Sequence, residues 1–135
     1  MNNIKKVALL IAAITIPNMG AADHHEKGNT VMPAASSGQL VLVYHWPCAD
    51  MNAGMAKLKS MIAYERDASP HPYSAAPAIH EDGALASIDV HSSTKSMEQA
   101  VAWQESDEKW QALLADLAEA CGSADDLTVK TLSVQ

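Results

Sequence analysis

The sequence predicts an α+β domain built in the order strand, helix, strand, strand, helix, strand. A nearly continuous apolar and aromatic run, Leu40–Trp46, is typical of a strand that is covered on both faces. A methionine-rich stripe at helical spacing follows it. Further along, the dipeptide Asp82-Gly83, which favours a tight turn, separates two short segments with strand character. We therefore expect residues 39–135 to form one domain.

The first strand is expected over 39–46, where Pro47 ends it, and the first helix over 50–67. Asp50 is a good helix N-cap residue. A proline-rich segment, 69–72, stops the helix. The apolar stripe of the helix consists of Met51, Met55, Leu58, Met61 and Ile62. Such stripes usually fill a core, so a methionine-based metal site is the lesser alternative.

Residues 77–92 are expected to form a hairpin closed by a two-residue type I′ turn at Asp82-Gly83. Pro77 in the first arm predicts that this arm lies at the edge of the sheet, because proline cannot donate a ladder hydrogen bond. The second arm alternates between an apolar face, Ala86, Ile88 and Val90, and a more polar face, Leu85, Ser87, Asp89 and His91.

A two-part helical region begins at Ser96, which forms a capping-box pattern with Gln99. The polar segment 105–108 interrupts it, and Ser106 could cap a second helix there. Gly122 is suited to end that helix. The last strand is expected over 127–134.

This βαββαβ order matches the ferredoxin-like arrangement. The chain resembles the dimeric α+β barrel proteins, including the antibiotic-biosynthesis monooxygenases and the NIPSNAP-like proteins. The resemblance covers 39–135 and is carried by the element order, the aromatic-rich first strand, and the segment 97–110, MEQAVAWQESDEKW, which is similar to the two-part second helix of that group. No residue matches a catalytic signature, so fold similarity alone says little about chemistry.

The resemblance implies an antiparallel sheet of order 4-1-3-2 with two helices on one face. In that group a second subunit covers the other face. Because the first strand is apolar on both faces, we expect a homodimer, and the alternative is a cavity buried within the monomer.

Cys48 and Cys121 are the two cysteines of the chain. In an oxidising compartment such a pair is expected to form a disulfide, and two separate core thiols are the alternative. The implied topology also brings both cysteines to the same end of the domain.

Residues 1–22 have the form of a signal peptide: Lys5 and Lys6, a short apolar run, and small residues before the expected cleavage site. The run has about half the length that a membrane-spanning helix needs, so we expect an exported protein, periplasmic or secreted, with no membrane association after cleavage. Residues 23–38 are polar and small, as in a flexible leader. Removal of 1–22 leaves seven of the nine basic residues against 16 acidic ones, a net charge of −9, which disfavours nucleic acid as a partner.

Three groups of side chains are candidates for function. His45, Asp89 and His91 are possible acid–base residues, with Asp89 and His91 on one strand face. Tyr44 and Trp46 could wall a pocket, although such aromatics more often belong to a core or interface. His45 and His80 are expected near one end of the sheet, about 10 Å apart, and could share a pocket if their faces agree, whereas His80 and His91 are too far apart to share a metal. Structural or solvated histidines are the alternative.

The new N-terminus offers a further candidate. Cleavage after Ala21 or Ala22 places a histidine third, His24 or His25, which resembles the amino-terminal copper- and nickel-binding motif. A solvated leader without metal is the alternative.

These observations favour an exported small homodimer that binds a small apolar or aromatic molecule, with cofactor-free monooxygenase-like activity as the chemistry that the resemblance implies. No cofactor is expected. The alternatives are a non-catalytic binding or structural module, or copper handling through His24 and His25.

Overall fold

The computed structural model describes residues 32–135. The predicted signal peptide, 1–22, and the leader histidines His24 and His25 lie outside the described residues. Within 32–135, four strands and three α-helices follow the expected order. They are β1 (Leu40–Trp46), α1 (Met51–Ala68), β2 (Ser74–Ile79), β3 (Leu85–His91), α2 (Thr94–Ser106), α3 (Glu108–Cys121) and β4 (Thr128–Ser133). None of the helices in this part of the chain is long and apolar enough to cross a membrane.

The sheet is antiparallel with the order β2-β3-β1-β4, which is the predicted order read from the other edge. β1 is central, as its apolar composition predicts, and β2 with Pro77 is an edge strand. The first strand therefore pairs on both sides, with β3 and with β4.

The helices cover one face of the sheet. The core between them contains Trp46, Leu58, Met61, Leu85, Leu117 and Cys121. The β1 side chains that face this core alternate with Val41, Val43 and His45, which lie on the opposite face beside their β3 partners Val90, Ile88 and Ala86. We call these six residues the open face, because no helix in 32–135 covers them.

The hairpin turn differs from the prediction. Ile79 pairs with Leu85, and the backbone of His80 donates to the carbonyl of Ala84, so the loop has three residues rather than two. A type I′ turn would require a positive φ at Asp82, but only glycines have a positive φ among the described residues, and Gly83 has φ +86°. The turn prediction was wrong because Gly83 serves as the left-handed residue that closes a longer loop.

The helix caps also differ in part. Asp50 caps α1 as predicted, accepting a hydrogen bond from the Ala53 amide at 3.0 Å. The second helix begins at Thr94 with Ser93 as its N-cap, three residues before the predicted cap at Ser96. Asp107, not Ser106, separates α2 from α3 and accepts a hydrogen bond from the Trp110 amide at 2.7 Å.

The predicted disulfide between Cys48 and Cys121 is present. It joins the segment after β1 to the last residue of α3, next to a backbone hydrogen bond from Asp50 to the Ala120 carbonyl. Gly54 of α1 lies against both sulfur atoms, where a β-carbon would come within 2.7 Å of Sγ of Cys48. A glycine is therefore required for α1 to pack on the bridge.

Candidate functional site

A cavity lies between the helices and the face of the sheet that they cover. Its empty space amounts to about 610 Å³, including the part that opens to solvent. Most of its wall is apolar and aromatic, from Tyr44, Trp46, Leu58, Met61, Ile62, Leu85, Trp110, Leu114, Leu117 and Leu127. A small group of polar side chains also lines it: Glu65, Ser87, Asp89 and Gln104. An apolar pocket with a few polar groups is the usual form of a small-molecule site.

Glu65 is a buried, hydrogen-bonded carboxyl group of the cavity. It lies on α1 and is only 6% exposed. Its Oε1 atom accepts hydrogen bonds from Trp110 Nε1 at 2.7 Å and from Gln104 Nε2 at 3.2 Å. Burial raises the pKa of Glu65, and the hydrogen-bond donors partly oppose this rise because they stabilise the carboxylate.

Asp89 lies on β3 and is 7% exposed. Its only hydrogen-bond donor among the described residues is the Ser87 hydroxyl, at 3.4 Å, so its charged form is poorly stabilised. Burial first, and then the nearby charge of Glu65, raises the pKa of Asp89 to about 7. A carboxyl group with this pKa can both accept and release a proton near neutral pH, as general acid–base chemistry requires.

Two tyrosines extend this polar group. Burial, with the charges of Asp89 and Glu65, raises the pKa of both Tyr44 and Tyr73, which keeps both phenols neutral. Gln104 Nε2 also donates to the Tyr73 hydroxyl at 3.1 Å, so this amide links Tyr73 to Glu65. The cavity thus combines two carboxyl groups that resist ionisation with neutral hydrogen-bonding groups.

The structure places three of the predicted residues, Tyr44, Trp46 and Asp89, in the wall of this cavity. Their faces agree because β1 and β3 pair in register, with Tyr44 opposite Ser87. His91 is buried on the same face but stacks on the Tyr73 ring, with centroids 4.8 Å apart, rather than lining the cavity. Burial lowers the pKa of His91, and no hydrogen bond in residues 32–135 joins it to Asp89.

Three cavity residues were missed: Glu65, Gln104 and Trp110. Glu65 lies at position i+4 from Met61 and i+3 from Ile62, within the apolar stripe of α1. A charged residue within such a stripe is a signal that could have identified it, because buried carboxylates are uncommon without a role or a partner.

His45 and His80 lie away from the cavity. His45 is on the open face, and its ring meets that of His80 edge to face, with centroids 4.8 Å apart rather than the expected 10 Å. Asp82 joins them, with Oδ2 2.8 Å from His45 Nε2 and Oδ1 3.3 Å from His80 Nδ1. The expected 10 Å is the spacing between the backbones of β1 and β2, and the two rings approach each other above β3 because the residues between them, Ala86 and Ala78, have small side chains.

No protein-family model matches this chain, and no curated protein matches it. Several solved structures are similar. SnoaB, a cofactor-independent oxygenase from Streptomyces nogalater, is 9% identical with a TM-score of 0.56 over 73% of this chain and 95% of that protein. A candidate antibiotic biosynthesis monooxygenase from Caulobacter crescentus is 13% identical with a TM-score of 0.54 over 73% and 92% of the two chains. A dimeric ferredoxin-like protein of unknown function from Jannaschia sp. CCS1 is 12% identical with a TM-score of 0.53 over 72% and 100%.

At these identities the similarity concerns the fold. The sheet order and the helices on one face agree with it. The chain therefore has a ferredoxin-like fold, similar to the fold of these structures.

Proposed function

We propose that this protein is exported and that its domain binds a small apolar or aromatic molecule in the cavity between the sheet and the helices. The observation that carries the proposal is the composition of that cavity. Its aliphatic and aromatic walls suit a single aromatic ring, whereas Asp89 and Glu65 give one region of it polar character. The ligand would be oriented by hydrogen bonds to those carboxyl groups.

We further propose cofactor-free oxygenation as the reaction. A substrate with an acidic CH2 group between aromatic or carbonyl groups loses a proton to Asp89, whose pKa of about 7 suits this transfer. The resulting carbanion is oxidised by O2, so that CH2 and O2 become C=O and H2O. The two carbon-bound hydrogens leave in the water, and O2 supplies both the carbonyl oxygen and the water oxygen. The cofactor-independent oxygenase among the similar structures supports this reaction class.

Export is supported by the sequence of residues 1–22 and is consistent with the Cys48–Cys121 disulfide, since such bonds persist in oxidising compartments. Homodimerisation is supported by the open face. Ile88 is 39% exposed there, and Leu132 of neighbouring β4 is 57% exposed. The similar ferredoxin-like protein from Jannaschia is described as dimeric.

Binding can be followed through the intrinsic fluorescence of the protein, because Trp46 and Trp110 both line the cavity. We expect a panel of single-ring phenols to include ligands that quench this fluorescence saturably. The variant Leu114→Trp, which fills the cavity, should lose that binding. Asp116→Trp, on the exposed part of the same helix, should keep it.

Turnover is tested by oxygen consumption with single-ring compounds that carry an activated CH2 group, such as 1-phenylbutane-1,3-dione. Asp89→Asn should bind the ligand but abolish oxygen uptake above the uncatalysed rate, and Asp116→Asn should have no effect. Saturable binding without oxygen uptake by the unmodified protein would favour the non-catalytic binding module. Absence of binding by every compound would contradict the cavity proposal.

A further inference from the structure

The cluster of His45, His80 and Asp82 lies on the opposite side of the sheet from the cavity. His45 is between Tyr44 and Trp46 in β1, and those two side chains point to the helix-covered face. The cluster is therefore separate from the cavity by one layer of backbone. A role for it is independent of the proposed reaction.

Three elements bring the cluster together. His45 pairs with Ala86 of β3, which pairs in turn with Ala78 of β2. Because both partners are alanines, no large side chain intervenes between His45 and His80, which directly follows β2. The turn then returns Asp82 to the two rings.

The carboxylate of Asp82 is held in position by the turn. The Ala84 amide donates a hydrogen bond to its Oδ1 atom at 2.9 Å. The opposite oxygen, Oδ2, lies 2.8 Å from Nε2 of His45. This arrangement resembles that of a metal-binding carboxylate whose orientation is fixed by a hydrogen bond from a backbone amide.

The His80 ring is left without a hydrogen bond at Nδ1 in this arrangement. Its Nδ1 atom is buried and has no hydrogen-bond partner among residues 32–135, although Asp82 Oδ1 is 3.3 Å away in poor geometry. A simple ion pair would be expected to align this nitrogen with the carboxylate. In the tautomer that carries its proton on Nε2, His80 presents at this buried nitrogen the lone pair that a metal ion requires.

The distances suit a metal of the zinc type. One ligand atom from each residue lies within 4.8 Å of the other two. Zinc–ligand distances of about 2.0–2.2 Å place two ligands of a tetrahedral site about 3.4 Å apart. The carboxylate of Asp82 offers one oxygen to each ring, Oδ2 at 2.8 Å from His45 Nε2 and Oδ1 at 3.3 Å from His80 Nδ1.

We propose that His45, His80 and Asp82 bind a divalent transition-metal ion, with zinc as the best match. Two imidazole nitrogens and one carboxylate oxygen suit zinc and its neighbours better than magnesium or calcium, which prefer oxygen ligands. Three protein ligands leave a fourth position for water or for another ligand. In the single chain the three side chains are partly exposed. Because His45 belongs to the open face, the proposed second molecule would lie beside the ion.

Isothermal titration calorimetry with Zn²⁺ tests this site in chelator-treated mature protein. Every protein in the series carries His24→Ala and His25→Ala, so that the leader cannot contribute. We expect one zinc ion per chain. His80→Ala and Asp82→Asn should each weaken binding by at least about tenfold. His71→Ala, which removes a histidine outside the cluster, should leave the affinity unchanged.

Thermal unfolding in EDTA checks that each variant is folded. If a ligand variant does not fold, His45→Gln is measured in its place. Zinc should raise the melting temperature of the parent protein but not that of the ligand variants. The proposal is overturned if the parent protein does not bind zinc, if Asp82→Asn binds as tightly as the parent, or if His71→Ala loses as much affinity as His80→Ala.

Discussion

Asp89 and Glu65 are carboxyl groups buried on the same side of the sheet, and the charge of Glu65 makes Asp89 harder to ionise. Glu65 has Trp110 and Gln104 as donors, whereas Asp89 has only the Ser87 hydroxyl among the described residues. This difference favours Glu65 as the charged member of the pair and Asp89 as the member that exchanges protons.

The raised pKa of Asp89 predicts how stability depends on pH. In the unfolded chain an aspartate has a pKa of about 3.9, and in the folded protein the pKa of Asp89 is about 7. Between these values the folded state keeps a proton that the unfolded state has released, so this group makes the protein less stable as pH rises from about 4 to 7. Its stabilising contribution is fully present below pH 4 and is lost above pH 7.

We therefore expect Asp89→Asn to become more stable relative to the natural protein as pH increases. The relative gain should be about 3 kcal/mol between pH 5 and pH 8, because most of it builds up between pH 5 and the folded-state pKa of about 7, at about 1.4 kcal/mol per pH unit. Urea unfolding at the two pH values measures it, with the exposed substitution Asp116→Asn as the control. A difference that is independent of pH would show that Asp89 has an ordinary pKa.

Sequence patterns identified some cavity residues better than others. Strand alternation determines which side chains share a face, so the sequence could predict a shared site for Tyr44, Trp46 and Asp89. The sequence did not predict Glu65 and Gln104 as cavity residues. Both lie on helices that pack over that face, and an apolar helical stripe does not show which strand residues its neighbours will contact. The meeting of His45 with His80 and Asp82 depended on the length of one turn.

At the scale of the elements, α1 packs against the disulfide at Gly54. Strand and helix order, the bridge itself and the start of α1 could all be predicted, since they follow from periodicity, cysteine pairing and the cap at Asp50. The loop between β2 and β3 was mispredicted because Asp-Gly is compatible with loops of two and three residues, and the choice between them depends on strand twist and packing.

Gly54→Ala should destabilise the protein even though alanine is the better helix former. The new β-carbon would lie within 2.7 Å of Cys48 Sγ and 3.0 Å of Cys121 Sγ, so α1 or the bridge must move. We expect a loss of about 1–3 kcal/mol, the usual range for overpacking. Chemical denaturation under oxidising conditions measures the loss, and Asn52→Ala, at an exposed position of the same helix, should be neutral or slightly stabilising. A stabilised Gly54→Ala protein would mean that α1 does not press on the disulfide.

At the scale of the whole molecule, polar and apolar residues of β3 are distributed unusually between the two faces of the sheet. The helices cover the more polar face of β3, with Ser87, Asp89 and His91, where the cavity needs polar groups. The apolar face, with Ile88 and Val90, is the open face. A fold that only had to bury apolar residues would place them the other way round, so the open face is better explained by a second molecule than by solvent.

The predicted homodimer is tested by placing a charge on the open face. Ile88→Lys should convert the dimer into a folded monomer, because a lysine opposite Val43 would be buried without a partner in the interface. Ile79→Lys is the matched control, since Ile79 is 64% exposed at the edge strand and its register with Leu85 assigns it to the other face. Light scattering at micromolar concentration should give twice the mature chain mass for the natural protein and for Ile79→Lys, and the single mass for Ile88→Lys. If the natural protein is monomeric, or if Ile88→Lys remains a dimer, the two molecules do not associate through this face.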